Sequence, residues 1–297
     1  MRSKNTGARK ALENVIHLIF LLCGIVAVGF VLVISVYLIL SGLPAIRQIG
    51  LFRFLFGQVW DPTNTTTGAE YGILPFILTS VYGTAGAMVI GVPIGLMTAI
   101  FLSKLAPAPV AAVIRTAVQL LAGIPSVVYG LVGMIVLVPA IQRTFSLSSG
   151  ACLLAAMIVL AIMILPSIIN VAENALRAVP KEYEEASLAL GSTKLETYFK
   201  VTLPAAGSGV AAAIVLGVGR AIGEAMAIIM VSGNVSNMPS VFVPVRFLTT
   251  GIVSGMGYAQ VGSLYHQALF SIGLVLFLFI MLINVLLNVL IKKKGDA

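Results

Sequence analysis

Charge is scarce in this chain: Asp, Glu, Lys and Arg together make up 9% of the residues, against 59% that are hydrophobic. A soluble fold has too little polar surface in that composition to cover its apolar groups, so a soluble globular domain is excluded. Cysteine is nearly absent as well. Cys23 and Cys152 lie in apolar runs without metal-ligand spacing and read as packing residues. His17 and His266 stand singly near ends of apolar runs, too isolated for a metal site. A Gly-rich loop ending in Gly-Lys-Ser or Gly-Lys-Thr is also missing, and Gly191-Ser192-Thr193-Lys194 has the wrong order to cradle phosphate. No nucleotide-binding loop of that kind is read in this chain. With neither a catalytic triad nor clustered metal ligands, the chain does not read as an enzyme on its own.

What the chain does have is long apolar runs, and its mean hydropathy is +1.09. A bilayer crossing needs about 20 apolar residues, and runs of that order fall near 14–42, 73–103, 110–140, 150–172, 205–232 and 263–291. Six spans are predicted. The first follows Arg2, Lys4, Arg9 and Lys10, but its apolar run exceeds the ~7–15 residues of a signal core, so it reads as a retained anchor. With the N-terminus inside, the outer segments carry only Arg47, Arg53, Arg143 and Arg246 of the 18 Lys and Arg residues, and Arg220 lies within a span. That bias predicts both termini in the cytoplasm. The formal charge of +8 then reports topology and contact with anionic lipid, not nucleic acid.

Two outer segments have their own character. Residues 43–72 carry Phe52, Phe54, Phe56, Trp60 and Tyr71 and read as a short amphipathic stretch along the membrane followed by a turn at Asp61-Pro62. Residues 233–262 are punctuated by Gly and Pro and suit an outer gate or docking surface.

The polar insert 177–204 is the most ordered loop. Pro180 suits a helix start, Lys181 to Leu190 are helix formers with Tyr183, Ala186 and Leu190 on one stripe, and Gly191 can end the helix in the left-handed conformation. Thr193 with Glu196 three residues on fits a capping box, and Pro204 is expected to close the segment. Helix, glycine corner, helix is the prediction. Local physics leaves open whether the stripe lies on lipid or enters a partner's groove.

The order Glu185-Ala186-Ser187, Gly191, Val201, Thr202, Leu203-Pro204 resembles the EAA loop of ATP-binding-cassette importer permeases, with Ser187 and Val201 in place of the usual Ala and Ile. Further stretches narrow the resemblance to phosphate-specific permeases of the C type: Phe56-Gly57 with Trp60-Asp61-Pro62, Tyr71 to Ile77, Ala122 to Gly130, Gly219 to Ala227, Gly233-Asn234 and Ala268 to Phe277. The resemblance implies an all-α integral membrane protein with six transmembrane helices in the type I, MetI-like importer fold. Residues 1–72 would form the anchor and external amphipathic segment, 73–292 the permease domain with coupling loop 177–204, and 293–297 a cytoplasmic tail. It implies ATPase coupling through Glu185, Ala186, Ser187, Gly191, Leu203 and Pro204. The implied partners are a second, A-type phosphate permease, two ATPase subunits using ATP and magnesium, and an external phosphate-binding protein, in a bacterial inner membrane.

A phosphate pathway needs positive charge and donors that replace water without trapping the ion. Arg220, the one intramembrane cation of the reading, matches two phosphate oxygens at once. Glu224 lies four residues on, one helical turn away and on the same face. Their pairing is either a structural ion pair or a switch that phosphate opens. Gly219 and Gly223 give the same helix a small-residue face for close packing against the second permease. Pro125 predicts either a kink or a local unwinding, and Asn170 a helix-to-helix hydrogen bond or a pathway residue. A permease for sulfate or molybdate keeps the same logic. A secondary transporter or channel requires a dispensable 181–200 loop and an inverted repeat that is not visible.

Overall fold

The computed structural model describes residues 6–64 and 68–295. Arg2 and Lys4 of the basic start, and residues 296 and 297 of the predicted tail, lie outside them. The chain opens with α1 (Thr6–Ile49) and a short α2 (Leu51–Phe56), then a two-stranded antiparallel hairpin, β1 (Trp60–Asp61) and β2 (Glu70–Tyr71). Helix α3 (Leu74–Ile100) ends in a π-helical turn, Phe101–Leu105. Helix α4 (Ala108–Gly123) is followed by α5 (Ser126–Val132), which runs through a second π turn, Gly133–Leu137, into α6 (Val138–Thr144). The long α7 (Leu153–Ala178) leads to α8 (Lys181–Ala189) and α9 (Lys194–Thr197), which continues through a third π turn, Tyr198–Thr202, into α10 (Leu203–Ala205). Last come α11 (Gly207–Gly223), α12 (Met226–Val231), α13 (Leu248–Met256) and α14 (Leu264–Gly295).

The centre of the bundle is the α3–α7 pair. Gly91 and Gly95 stand one turn apart on α3, and a Cβ on either would lie 2.8 Å from Ile164 or Ile168 of α7. Only glycine lets the two backbones approach so closely, which is how helices associate where lipid removes the hydrophobic drive between them. Around this seam Leu160, Met163, Ile164 and Ile168 are buried. A second cluster gathers Phe54, Trp60, Ile73, Phe76, Leu248 and Leu269 at the hairpin end. At the opposite end Ala99, Ile100, Leu176, Ala206 and Val210 form a third. The central part of α1 is unburied by the rest of the chain, as expected of a helix that faces lipid.

Among the described residues five helices are long and apolar enough to cross a membrane: Glu13–Ile49, Leu74–Leu105, Ser126–Thr144, Leu153–Ala178 and Leu264–Leu286. A sixth arises if Lys194–Ala205 and Gly207–Gly223, bent by 74°, count as one span. Two expectations need correction.

The predicted span 110–140 is broken, since Ile124 and Pro125 are extended with ψ 127° and 141°. Proline lacks the N–H and disfavours helix in the residue before it, and the Tyr129 hydroxyl donates to Leu121 O at 2.7 Å beside the gap. The predicted span 205–232 also breaks, because Glu224 is extended (ψ 134°) between α11 and α12. Pro204 closes the insert within two residues of the expected place: the helical run Lys194–Ala205 ends just past it, and the chain turns at Ala206, whose ψ is 7°. The strand pairing at Trp60–Tyr71 and helix α13 are additions that the sequence reading did not contain.

Candidate functional site: a polar elbow and a grooved arginine

The insert folds as an elbow. Helix α8 follows Pro180, and Gly191 takes φ 87°, a conformation that carries a steric penalty for any residue with a Cβ. The capping box forms as predicted: Thr193 Oγ1 accepts from the Glu196 N–H at 3.3 Å, and Glu196 Oε2 accepts from the Thr193 N–H at 3.1 Å. The corner is also cross-linked by hydroxyl groups. Ser187 Oγ lies 2.6 Å from Ser192 Oγ and 3.0 Å from Thr197 Oγ1, and Ser192 Oγ donates to Ser187 O at 2.6 Å. The serine that replaces the usual alanine therefore joins the two arms.

Glu182, Tyr183, Ala186, Ser187, Leu190 and Val201 line a concavity of about 510 Å³ on the elbow. Within it Leu190 is 90% exposed and Tyr183 55%, in the most polar part of the chain. The predicted stripe of Tyr183, Ala186 and Leu190 lines this one depression. Glu185 and Pro204 are exposed, while Leu203 packs against the cluster around Leu176.

Arg220 and Glu224 part company. On a continuous helix they would share a face, but the break after Gly223 sends Glu224 elsewhere. Its Oε1 accepts from the Ala227 N–H at 3.0 Å, and its carbonyl accepts from Thr249 Oγ1 at 2.7 Å. The freed backbone is satisfied by neighbours, as an interrupted membrane helix requires. Arg220 instead donates through Nη1 to Ser167 Oγ of α7 at 3.3 Å. It lines a groove of about 600 Å³ with Ser208, Leu216, Gly219 and Asn284. Gly219 and Gly223 face open space.

Several polar residues were read from sequence only as topology charges. Arg246 donates through Nε and Nη2 to Asn234 O at 3.0 and 2.7 Å, and through Nε to Asn234 Oδ1 at 3.0 Å. Its guanidinium lies 5.7 Å from the Phe76 ring centroid. Burial lowers the Arg246 pKa from its ordinary value, with Tyr265 opposing the shift. At the elbow end Glu173, 5% exposed, accepts from Arg115 Nε at 2.7 Å and pairs with Arg177 Nη2 at 2.9 Å. The spacing of Glu173 and Arg177 on one helix was a usable signal. Ser167 and Asn284 carried none, because a lone hydroxyl or amide in an apolar run does not announce which neighbour it meets.

Residues 91–294 match the family model described as binding-protein-dependent transport system inner membrane component. The chain belongs to that family. It is a permease of the ATP-binding-cassette importer class, built of membrane-spanning helices. Among its relatives is the probable ABC transporter permease protein YqgH of Bacillus subtilis, 40% identical over 271 residues, covering 89% of this permease and 87% of the relative. The phosphate transport system permease protein PstC of Pasteurella multocida is 37% identical over 266 residues, covering 82% and 81%. The fold is shared with an alginate-importing bacterial ABC transporter chain at TM-score 0.66, with 12% identity and 96% of each chain covered. It is also shared with the MetNI methionine transporter at TM-score 0.56, with 20% identity, 75% of this permease and 94% of that chain.

Proposed function

We propose that this permease is the C-type subunit of a phosphate importer. What supports the substrate most is its 37% identity to a relative named for phosphate transport, and the chemistry of the groove agrees. Arg220 is held by one long hydrogen bond to Ser167, so its remaining N–H groups are available to a phosphate oxygen pair. Glu224 shapes the helix break four residues beyond Arg220 and so sets where the pathway-lining helix ends.

The open face at Gly219 and Gly223 packs on a second, related A-type permease, and an external binding protein delivers phosphate. Two separate ATPase subunits carry ATP and magnesium. The elbow, with Glu185, Ala186, Ser187 and Gly191 at its corner and Leu203 and Pro204 at its root, enters a cleft on an ATPase and follows its closure. Both termini are cytoplasmic by the distribution of Lys and Arg, in a bacterial inner membrane.

The test is radiolabelled phosphate uptake in cells lacking this permease, restored with the wild type or with Gly191→Pro at equal membrane levels. Proline cannot adopt φ 87°, so uptake is expected with the wild type and lost with the variant. Full uptake by Gly191→Pro contradicts coupling through the elbow. No phosphate uptake with the wild type, together with restored uptake of sulfate or molybdate, selects another oxyanion.

A further inference from the structure

Glu184 precedes the motif glutamate Glu185 but is turned into the protein. Its Oε1 pairs with Lys104 Nζ, and the two side chains are only 18% and 12% exposed. The same oxygen accepts from Thr202 Oγ1 at 3.3 Å, and Thr202 is fully buried. Lys104 sits on the π turn that ends α3, and Thr202 on the π turn between α9 and α10. One carboxylate thus ties the first arm of the elbow both to its second arm and to a membrane-spanning helix.

The turn that carries Lys104 is held at two further points. Lys104 O accepts from the Tyr198 hydroxyl at 3.5 Å, and Leu102 O accepts from Arg115 Nη2 at 3.0 Å. Arg115 belongs to α4 and is in turn fixed by Glu173 of α7. The π turn that carries Lys104 is therefore the meeting point of the elbow with α3 and α4, and through Arg115 with α7.

Removing two charges from water is expensive, and an apolar pair of the same shape would often stabilise the fold as well or better. In some proteins a buried pair is kept because it fixes one relative position of two elements. The irregular π turns at both contact points fit a working junction.

We propose that Lys104 and Glu184 are positioning residues of the transport cycle: their ion pair makes the elbow and the inner ends of α3 and α4 move as one body. ATPase closure then reaches the bundle through this pair, in addition to the apolar contacts of Leu203. The inference rests on the coupling role of the elbow proposed above.

The experiment uses the full complex of both permeases and both ATPases, reconstituted in liposomes with its binding protein, and measures phosphate imported per ATP hydrolysed. Lys104→Glu and Glu184→Lys are each expected to lower that ratio about fivefold or more, the scale of a typical coupling between sites. The double exchange, Lys104→Glu with Glu184→Lys, is expected to recover most of it, which a general packing defect would not do. Single variants with the wild-type ratio overturn the proposal, as does an assembled double variant no better than the singles.

If the charge variants do not assemble, Lys104→Cys with Glu184→Cys on a Cys23→Ser background, joined by a flexible bismaleimide, decides the matter. Coupling retained after cross-linking supports movement as one body, and transport abolished by the cross-link overturns it. Gly191→Pro separates the two levels. If it retains uptake, the elbow reading itself fails; if it loses uptake while the charge variants stay coupled, only the Lys104–Glu184 link fails.

Discussion

Two arginines embedded in neighbouring parts of this permease are held in opposite ways. Arg246 makes three hydrogen-bond contacts to Asn234, all at 3.0 Å or less, and lies over Phe76. Arg220 makes one, at 3.3 Å, to Ser167, and lines a groove. The first is clamped to one residue through two of its five N–H groups, on Nε and Nη2, and stacked over a ring. It holds Asn234, at φ 50°, beside the Gly233–Val245 bridge and so closes the segment between α12 and α13. The second commits a single N–H, in a 3.3 Å contact, and under the proposed function its other donors meet phosphate. Burial of positive charge alone does not mark a substrate site; what distinguishes the two is how much of the guanidinium the fold has already used.

The contrast can be broken experimentally. Arg220→Gln is expected to lower phosphate uptake by on the order of a hundredfold, the loss typical of removing a charged partner from a desolvated contact, while leaving the solubilised protein's melting midpoint close to wild type. Arg246→Gln is expected to do the reverse, destabilising the fold by about 2 kcal/mol through lost charge-assisted hydrogen bonds and lowering the midpoint, with uptake per assembled molecule largely kept. Glu224→Ala removes the acceptor for the Ala227 N–H and should lose about 1 kcal/mol relative to Glu224→Gln, which retains an acceptor oxygen; a midpoint comparison of the two variants checks it. Ser167→Ala frees Arg220 to sample other orientations, and a rise in the half-saturating phosphate concentration of about threefold is expected. An unchanged value would remove Ser167 from the positioning of Arg220.

The elbow was largely readable from the sequence because its determinants are local. Gly191, the Thr193–Glu196 box and the Tyr183–Ala186–Leu190 stripe each act within one or two turns, and each formed as expected. Pro204 acts locally too: the helical run that reaches it stops at Ala205, one residue on.

The membrane half was legible in its spans but not in its breaks. Hydropathy records that residues 205–232 are apolar. It does not record that Thr249, on another helix, offers a hydroxyl to the Glu224 carbonyl and so allows the helix to stop there. For the same reason the one-turn spacing of Arg220 and Glu224 suggested a pair that the backbone does not permit. The Arg246–Asn234, Arg115–Glu173 and Lys104–Glu184 contacts escaped because their partners lie 12 or more residues apart in the chain, where no periodicity reaches.

The most direct measurement is a side-by-side assay of Arg220→Gln and Arg246→Gln, with radiolabelled phosphate uptake normalised to the amount of assembled permease and the melting midpoint taken on the same preparations. A pathway role for Arg220 predicts that Arg220→Gln loses uptake per molecule and keeps its midpoint, while Arg246→Gln keeps uptake per molecule and loses midpoint. Wild-type uptake by Arg220→Gln would contradict the account.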